Sequence, residues 1–203
     1  MMNGRAKLVL VVLALAAALQ AGAQATPDAF LLKIGTTEDL DSLSPFTAYE
    51  RAATELFLLV YDPLVAFDAD LKPTPALAES WTVSPDGLEW TFRLRRGVKW
   101  SDGKPFTSGD VKFTYEAIME SGLGLYGSFL EGITEILTPD KHTVVLRTEA
   151  PKANILQNPT PILPRHVWEP GAATLETFVD PAMVGTGPFR LREWRKGEYL
   201  SLK

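Results

Sequence analysis

Three groupings in this sequence have residue types that chemistry uses. Glu38, Asp39 and Asp41 place three carboxylates within four positions, the donor type that a calcium ion takes. His166 stands three residues before Glu169, a pairing that can hold a transition metal. Glycine-rich runs at 121–128 (SGLGLYGS) and 185–187 (GTG) have the composition of loops that cradle phosphate. Each falls short on spacing. The acids lack the ordered oxygen ladder and the glycine of a calcium loop, so a solvated turn is expected. His142 is the only other imidazole and cysteine is absent, so His166 reads as a hydrogen-bonded structural residue and no metal site is expected. No lysine follows the first glycine run in Walker register. After the second, Pro188 and an alternating Phe189 and Leu191 stand where a dinucleotide-binding fold needs a helix N-terminus. With no thiol, no GxSxG, no HExxH and no paired nucleophile and base, the case for an enzyme is empty, and no cofactor is expected.

The elements that must position any site are legible from period and punctuation. Residues 88–94 alternate, with Leu88, Trp90, Phe92 and Leu94 on one face, as a half-buried strand does. Trp81 and Val83 alternate just upstream, and Ser84-Pro85-Asp86-Gly87 between them supplies the turn of a hairpin. Trp81, Trp90 and Trp100 are expected in the core. A second turn at 101–105 leads to Thr107-x-x-Asp110, a capping box that opens a helix with Val111, Tyr115 and Ile118 as its apolar stripe. Upstream, residues 29–37 read as an opening buried strand and 38–45 as a polar loop. A helix is expected over 51–60, with Ala52, Leu56 and Leu59 or Val60 inward, and the Asp62-Pro63 pair ends it. Lys72-Pro73-Thr74-Pro75 reads as a rigid connector. Residues 129–137 and 142–148 alternate around Thr138-Pro139-Asp140-Lys141 as another hairpin. Arg93, Arg95, Arg96 and Lys99 form a basic face that reads as solvated.

Composition bounds the function class. With 46% hydrophobic and 22% charged residues the chain can build a core. Arg5 and Lys7, an apolar run over 8–19 and Ala23-Gln24-Ala25 have the layout of a secretory leader cleaved near Ala25; the apolar run is shorter than the roughly 20 residues of a membrane span. The formal charge of −5 falls to −7 once those two leader cations are removed, which argues against a nucleic-acid surface. Absence of cysteine also removes a lipid-modified anchor, so a soluble periplasmic protein is expected, with no membrane insertion of the mature chain.

The ordered run YDPLVAFD at 61–68, LAESWTVSPDGLEWTFRLRRGVKWSDGKPFTSGDVKFTYE at 77–116 and GTGPFRLREWRKGEYL at 185–200 resembles the N-terminal part of the family 5, or cluster C, extracellular solute-binding proteins of peptide and nickel ABC importers. Residues 164–168 (PRHVW) resemble that family's P-[KR]-H-x-[WY] signature. The resemblance implies an α/β (mixed α+β) fold of the periplasmic binding protein-like II class. It implies the lobe I portion only, a mixed sheet with β-hairpins and flanking helices over 26–203, and a missing second lobe. It further implies a monomeric receptor that captures a small peptide and delivers it to the transmembrane subunits of an ABC permease. Oligosaccharide or a nickel chelate stays open as cargo, as does a chemosensory or chaperone-like binding role without transport. By the same resemblance the ligand cleft takes Thr47, Tyr49, Glu50 and Arg51 from the loop and helix start after the first strand, with Thr54 beside them. It also takes Phe129, with Tyr126, and the returning segment at Asn158, Thr160 and Pro161. Tyr49 would stack on a ligand and Glu50 meet a peptide amino group. Receptors of this kind are longer than 203 residues, and the end at 201–203 inside a strand beginning near Tyr199 reads as a fragment whose last strand lacks its partner.

Overall fold

The computed structural model describes residues 32–122, 125–170 and 177–203, in two units, 1–37 and 38–203. The expected leader lies outside the described residues. Of the first unit, 32–37 are described; they form no strand, and Leu32 and Ile34 are exposed at 67% and 80%. The strand expected over 29–37 is therefore absent from its described part, and 29–31 lie outside it. An alternating apolar run becomes a strand only when a neighbour takes its amides, and no described pairing includes 32–37.

In the second unit the elements run α1 Arg51–Val60, β1 Val65–Phe67, β2 Pro73–Pro75, β3 Ala78–Val83, β4 Glu89–Leu94, α2 Ser108–Ser121, α3 Gly127–Leu130, β5 Ile133–Asp140, β6 Thr143–Thr148, a 3-10 turn Ile155–Gln157, α4 Arg165–Trp168, β7 Leu191–Arg195 and β8 Tyr199–Leu202. Three sheets result: β1-β2, β3-β4-β6-β5 and β7-β8, and every described pairing is antiparallel. The β3–β4 hairpin turns at Ser84–Gly87 as expected. Gly87 takes a positive φ of 76°, and Asp86 Oδ1 accepts the Ser84 hydroxyl and the Leu88 amide.

Helix α2 begins at the Thr107/Asp110 capping box, in which Asp110 Oδ2 accepts the Thr107 amide at 2.8 Å. It ends at Gly122, whose left-handed φ of 63° costs glycine little. Val111, Tyr115 and Ile118 are buried. The helix packs on β5 and β6, so its stripe joins Phe92, Leu94, Ile136, Val144 and Leu146 in one core. Fully burying side chains of this size contributes about 1.5–3 kcal/mol each.

Four expectations need correction or completion. Residues 73–75 are not a free connector: Val65 pairs with Pro75 and Phe67 with Pro73. Proline lacks the amide a central strand needs but serves in a two-stranded ribbon, and Asp68 Oδ1 closes the turn by accepting the Asp70 and Lys72 amides. Helix α1 has the expected limits and buries Leu56 and Val60 as expected, with Ala52 half-buried against the core and Ala53 and Phe57 added to the inward face; Leu58 and Leu59 are exposed. Residues 129 and 130 belong to the helical turn α3, and the strand starts at Ile133. Strand β8 does have a partner, since β7 folds back on it with Trp194 opposite Leu200. Of the three tryptophans, Trp100 is fully buried, whereas Trp81 and Trp90 are half-buried against the core.

One junction ties distant parts together. The Gly187 amide donates to the Val60 carbonyl at 2.9 Å, Phe189 N to Leu59 O at 3.1 Å, and Ser101 N to Gly185 O at 2.8 Å. The Gly-Thr-Gly run is thus a close backbone crossing against the end of α1, the structural use of glycine and not a phosphate loop.

Candidate functional site

The loop before α1 is a turn over a buried run. Residues 43–46 and Ala48 are buried, and the Thr47 and Ala48 amides close on Ser44 O, leaving Thr47 half-buried and Tyr49 and Glu50 exposed. Each acid of the 38–41 cluster has a separate task. Asp41 Oδ2 accepts the Tyr49 amide at 2.7 Å and the Glu50 amide at 3.2 Å, while its Oδ1 accepts Ser42 N at 3.0 Å. Asp39 accepts Leu40 N, the Trp194 indole N–H at 3.2 Å and Gly197 N at 2.6 Å. Glu38 lies 3.6 Å from Arg51. The turn is solvated as expected, with Asp39 and Asp41 exposed, and it is also a clamp, in which two aspartates organise the loop and fasten it to the β7–β8 hairpin. Sequence reasoning missed both; the available signal was the Asp41-Ser42 pair before a helix start, since a short carboxylate can bond the backbone near it.

The loop is self-tied at its far side too. Ser42 Oγ and Thr47 Oγ1 are 2.8 Å apart, and Ala48 N donates to Ser44 O at 3.0 Å. Glu50 is the N-cap residue of α1 without bonding the helix by its side chain. Its carboxylate makes no ion pair among the described residues, whereas Arg51 is engaged by Glu38 and Glu55. Tyr49 is 65% exposed. Tyr49 and Glu50 therefore stand side by side, outward-facing and held by one carboxylate, an arrangement able to offer an aromatic face and an anion to a ligand.

The other sequence-predicted residues are placed differently. Thr54 sits on α1, its hydroxyl 3.4 Å from Glu50 O. Phe129 is half-buried on α3, beside the buried Tyr126. Asn158 and Thr160 are 5% and 0% exposed and satisfy each other: Asn158 Oδ1 accepts both the amide and the hydroxyl of Thr160. Pro161 is buried as well. No described hydrogen bond joins the 126–129 or 158–161 groups to the Tyr49 loop. The nearby Ile162 amide donates to Asp62 O at 3.1 Å, which fixes the returning segment to the end of α1.

His166 is hydrogen-bonded, its Nε2 2.7 Å from Asp102 Oδ2, and among the described residues no cluster of His, Cys, Asp or Glu has metal-site geometry. Asp180 is buried and accepts the Ala182 and Val184 amides at 2.9 and 2.7 Å. Burial, reinforced by the Asp180 charge, pushes the Tyr61 phenol well above its ordinary value of 10.0, so it stays neutral.

The clamp predicts acid sensitivity. The Gly197 and Leu40 amides and the Trp194 N–H hold Asp39 below the ordinary aspartate value of 3.8. For Asp41, burial pushes upward, but the Tyr49 and Glu50 amides outweigh it and the net shift is also downward. A carboxylate depressed in the folded state stabilises above its unfolded pKa and loses that contribution as pH falls through the folded one. Melting temperature is thus expected to drop as pH falls from about 4 downward. An Asp39→Asn/Asp41→Asn variant should melt lower at neutral pH and show a flatter dependence. Parallel curves for the two proteins would rule the clamp out as the cause.

With this geometry in hand, comparison with known proteins is decisive. The family model described as bacterial extracellular solute-binding proteins, family 5, matches residues 72–203. The chain belongs to this family. As a family 5 solute-binding protein it is 34% identical over 149 residues to a Brucella ovis protein named as an ABC transporter peptide-binding protein, covering 70% of this chain and 28% of that one. The oligopeptide-binding protein AppA of Bacillus subtilis, solved with a nonapeptide, superposes with a TM-score of 0.72 at 28% identity, over 84% of this chain and 35% of that one. NikZ of Campylobacter jejuni, solved with Ni(L-His), gives a TM-score of 0.71 at 29% identity, over 82% and 34%. The fold is that of the family 5 periplasmic binding proteins, and the chain spans about a third of the length of the relatives it matches. No described helix is long and apolar enough to cross a membrane.

Proposed function

We propose that this chain is the lobe I portion of a periplasmic substrate-binding component of an ABC importer, exported by a leader cleaved near Ala25, which captures a di- or oligopeptide and delivers it to a membrane permease. The observation that carries the reading is the family 5 match over 72–203 joined to the outward pair Tyr49 and Glu50 on a clamped loop. Tyr49 packs on the peptide and the unpaired Glu50 carboxylate meets its amino group. Thr47 and Arg51 flank that pair in the chain, and Phe129, Asn158 and Thr160 are assigned to the site on the family resemblance. The chain binds and does not catalyse. The whole receptor, of which this chain is the lobe I portion, works as a monomer whose ligand shifts the population toward a closed form.

A nickel chelate is the second reading, favoured by the likeness to NikZ. Thermal shift on the full chain against di- and tripeptides, Ni(L-His) and cello-oligosaccharides separates the readings. A peptide shift is expected, with Tyr49→Ala and Glu50→Gln each weakening affinity about tenfold, equivalent to about 1.4 kcal/mol. A shift with Ni(L-His) alone, or peptide affinity unchanged in both variants, would overturn it.

A further inference from the structure

We propose that one end of the four-stranded sheet is a docking surface for anionic phospholipid headgroups at a membrane. Three turns meet there and are pinned by backbone bonds. Phe106 N donates to Val98 O at 3.1 Å and Trp100 N to Lys104 O at 2.9 Å, which fixes the segment after β4 to the 101–106 loop. Leu94 N donates to His142 O at 2.8 Å and Ser108 N to Lys141 O at 2.9 Å, which adds the β5–β6 turn. On this platform Arg93, Arg95, Arg96, Lys99, Lys104 and Lys141 are all exposed.

Of the carboxylates at this end, Glu79 is exposed in the β3 bulge opposite Arg93 and Leu94, and two others are committed. Asp140 accepts the His142 amide and the Thr143 hydroxyl, and Asp102 is bonded to His166 and lies 4.0 Å from Lys104. Arg96, Lys99 and Lys141 make no ion pair among the described residues.

The opposite end of the same sheet carries the other sign. There the Thr148 amide reaches Leu88 O and the Glu149 amide reaches Gly132 O, gathering Asp86, Glu89, Glu131, Glu135 and Glu149 around Arg147 and Lys152. Arg147 is neutralised between Glu89 at 3.0 Å and Glu135 at 2.7 Å. A six-residue strand separates the two ends by roughly 20 Å, more than a Debye length at physiological salt, so each end presents its own field. In a chain of net charge −5, this sheet is a charge dipole that orients its basic end toward an anionic plane.

The chemistry of that end favours a lipid surface over a protein face. Specific protein interfaces have an apolar or aromatic centre, and no large hydrophobic side chain is exposed over 93–106 or 140–142. Long cationic side chains without an apolar anchor suit a fluid anionic surface, where each adds electrostatic attraction and none inserts. Docking of this kind is reversible and salt-labile. Its setting, outside the cytoplasm facing a membrane, rests on the function proposed above, but the test needs no solute, so peptide capture and docking can fail separately.

The test is flotation of the full chain with phosphatidylcholine vesicles, with or without about 30 mol% phosphatidylglycerol. About tenfold more protein is expected on the anionic vesicles in dilute buffer, and none retained near 0.5 M salt, where screening is short-ranged. Arg95→Glu/Arg96→Glu/Lys99→Glu should abolish flotation, while the equal charge change Lys72→Glu/Lys152→Glu/Lys203→Glu should keep most of it. If the first variant fails to fold, Arg96→Glu/Lys99→Glu replaces it, since neither side chain has a structural partner. Equal flotation on neutral vesicles, or equal loss in both triple variants, overturns the proposal; so does wild-type protein that floats with neither vesicle.

Discussion

Gly185→Ala is expected to abolish cooperative folding. A β-carbon at Gly185 would lie 1.8 Å from the Val60 carbonyl oxygen and 2.7 Å from its carbon. One at Gly187 would lie 2.6 Å from Leu59 O. Those atoms belong to the last turn of α1, whose backbone is fixed by its own hydrogen bonds and by the buried Leu56, Phe57 and Val60, so the neighbour cannot swing aside as a side chain would. Overpacking costs about 1–3 kcal/mol, occasionally more. Pushing the strand away also breaks the Gly187–Val60 and Ser101–Gly185 bonds, each worth about 1 kcal/mol. A total of about 4 kcal/mol or more is a large part of a domain's 5–15 kcal/mol. The control is Gly97→Ala, where φ is 76° but nothing lies within 4 Å, and the cost is the left-handed penalty of about 1–2 kcal/mol. Urea unfolding followed by circular dichroism reads both. A Gly185→Ala protein with a midpoint at or above that of Gly97→Ala would refute the steric account.

Trp168→Ala should be nearly as damaging, at about 3–5 kcal/mol. Trp168 is fully buried at the end of α4, with its ring 5.4 Å from Phe46 and 5.1 Å edge-on to Phe178. It therefore joins the loop that presents Tyr49 to two segments far along the chain, and its loss opens a cavity under that loop. Trp168→Phe provides the sharper comparison. The indole N–H is buried without a partner, a deficit of about 1–3 kcal/mol, so phenylalanine recovers part of what the smaller ring loses. Thermal melts should rank wild type first, Trp168→Phe close behind and Trp168→Ala well below. If Phe and Ala variants melted together, the ring contacts would not be the source of the stability.

What the sequence made readable was whatever depends on neighbours in the chain. The β3–β4 hairpin, the α2 capping box and the α1 limits follow from turn residues and apolar period within about ten positions, and all three are formed. Tertiary pairing decided the rest. Pro73–Pro75 became a strand because β1 lay beside it. Leu59 turned outward because α1 buries a face rotated toward Phe57, a shift of one position that periodicity alone does not fix. In the candidate site, the resemblance supplied Tyr49 and Glu50, and both are exposed at the start of α1. The roles of Asp39 and Asp41 were not legible, since Asp39 bonds partners at 194 and 197 and Asp41 spans eight and nine positions. The resemblance supplied Asn158 and Thr160, which prove to be buried and bonded to each other.

The Asp39 clamp also bears on when the chain becomes folded. Its partners Trp194 and Gly197 follow 155 and 158 residues later, and the Val60–Gly187 crossing spans most of the same interval. Contacts that close such long loops form late, because the entropy of closure must be met before they contribute. During synthesis the loop bearing Tyr49 is held, of the two aspartates, by Asp41 alone until the β7–β8 hairpin has left the ribosome, and only then does Asp39 fasten it.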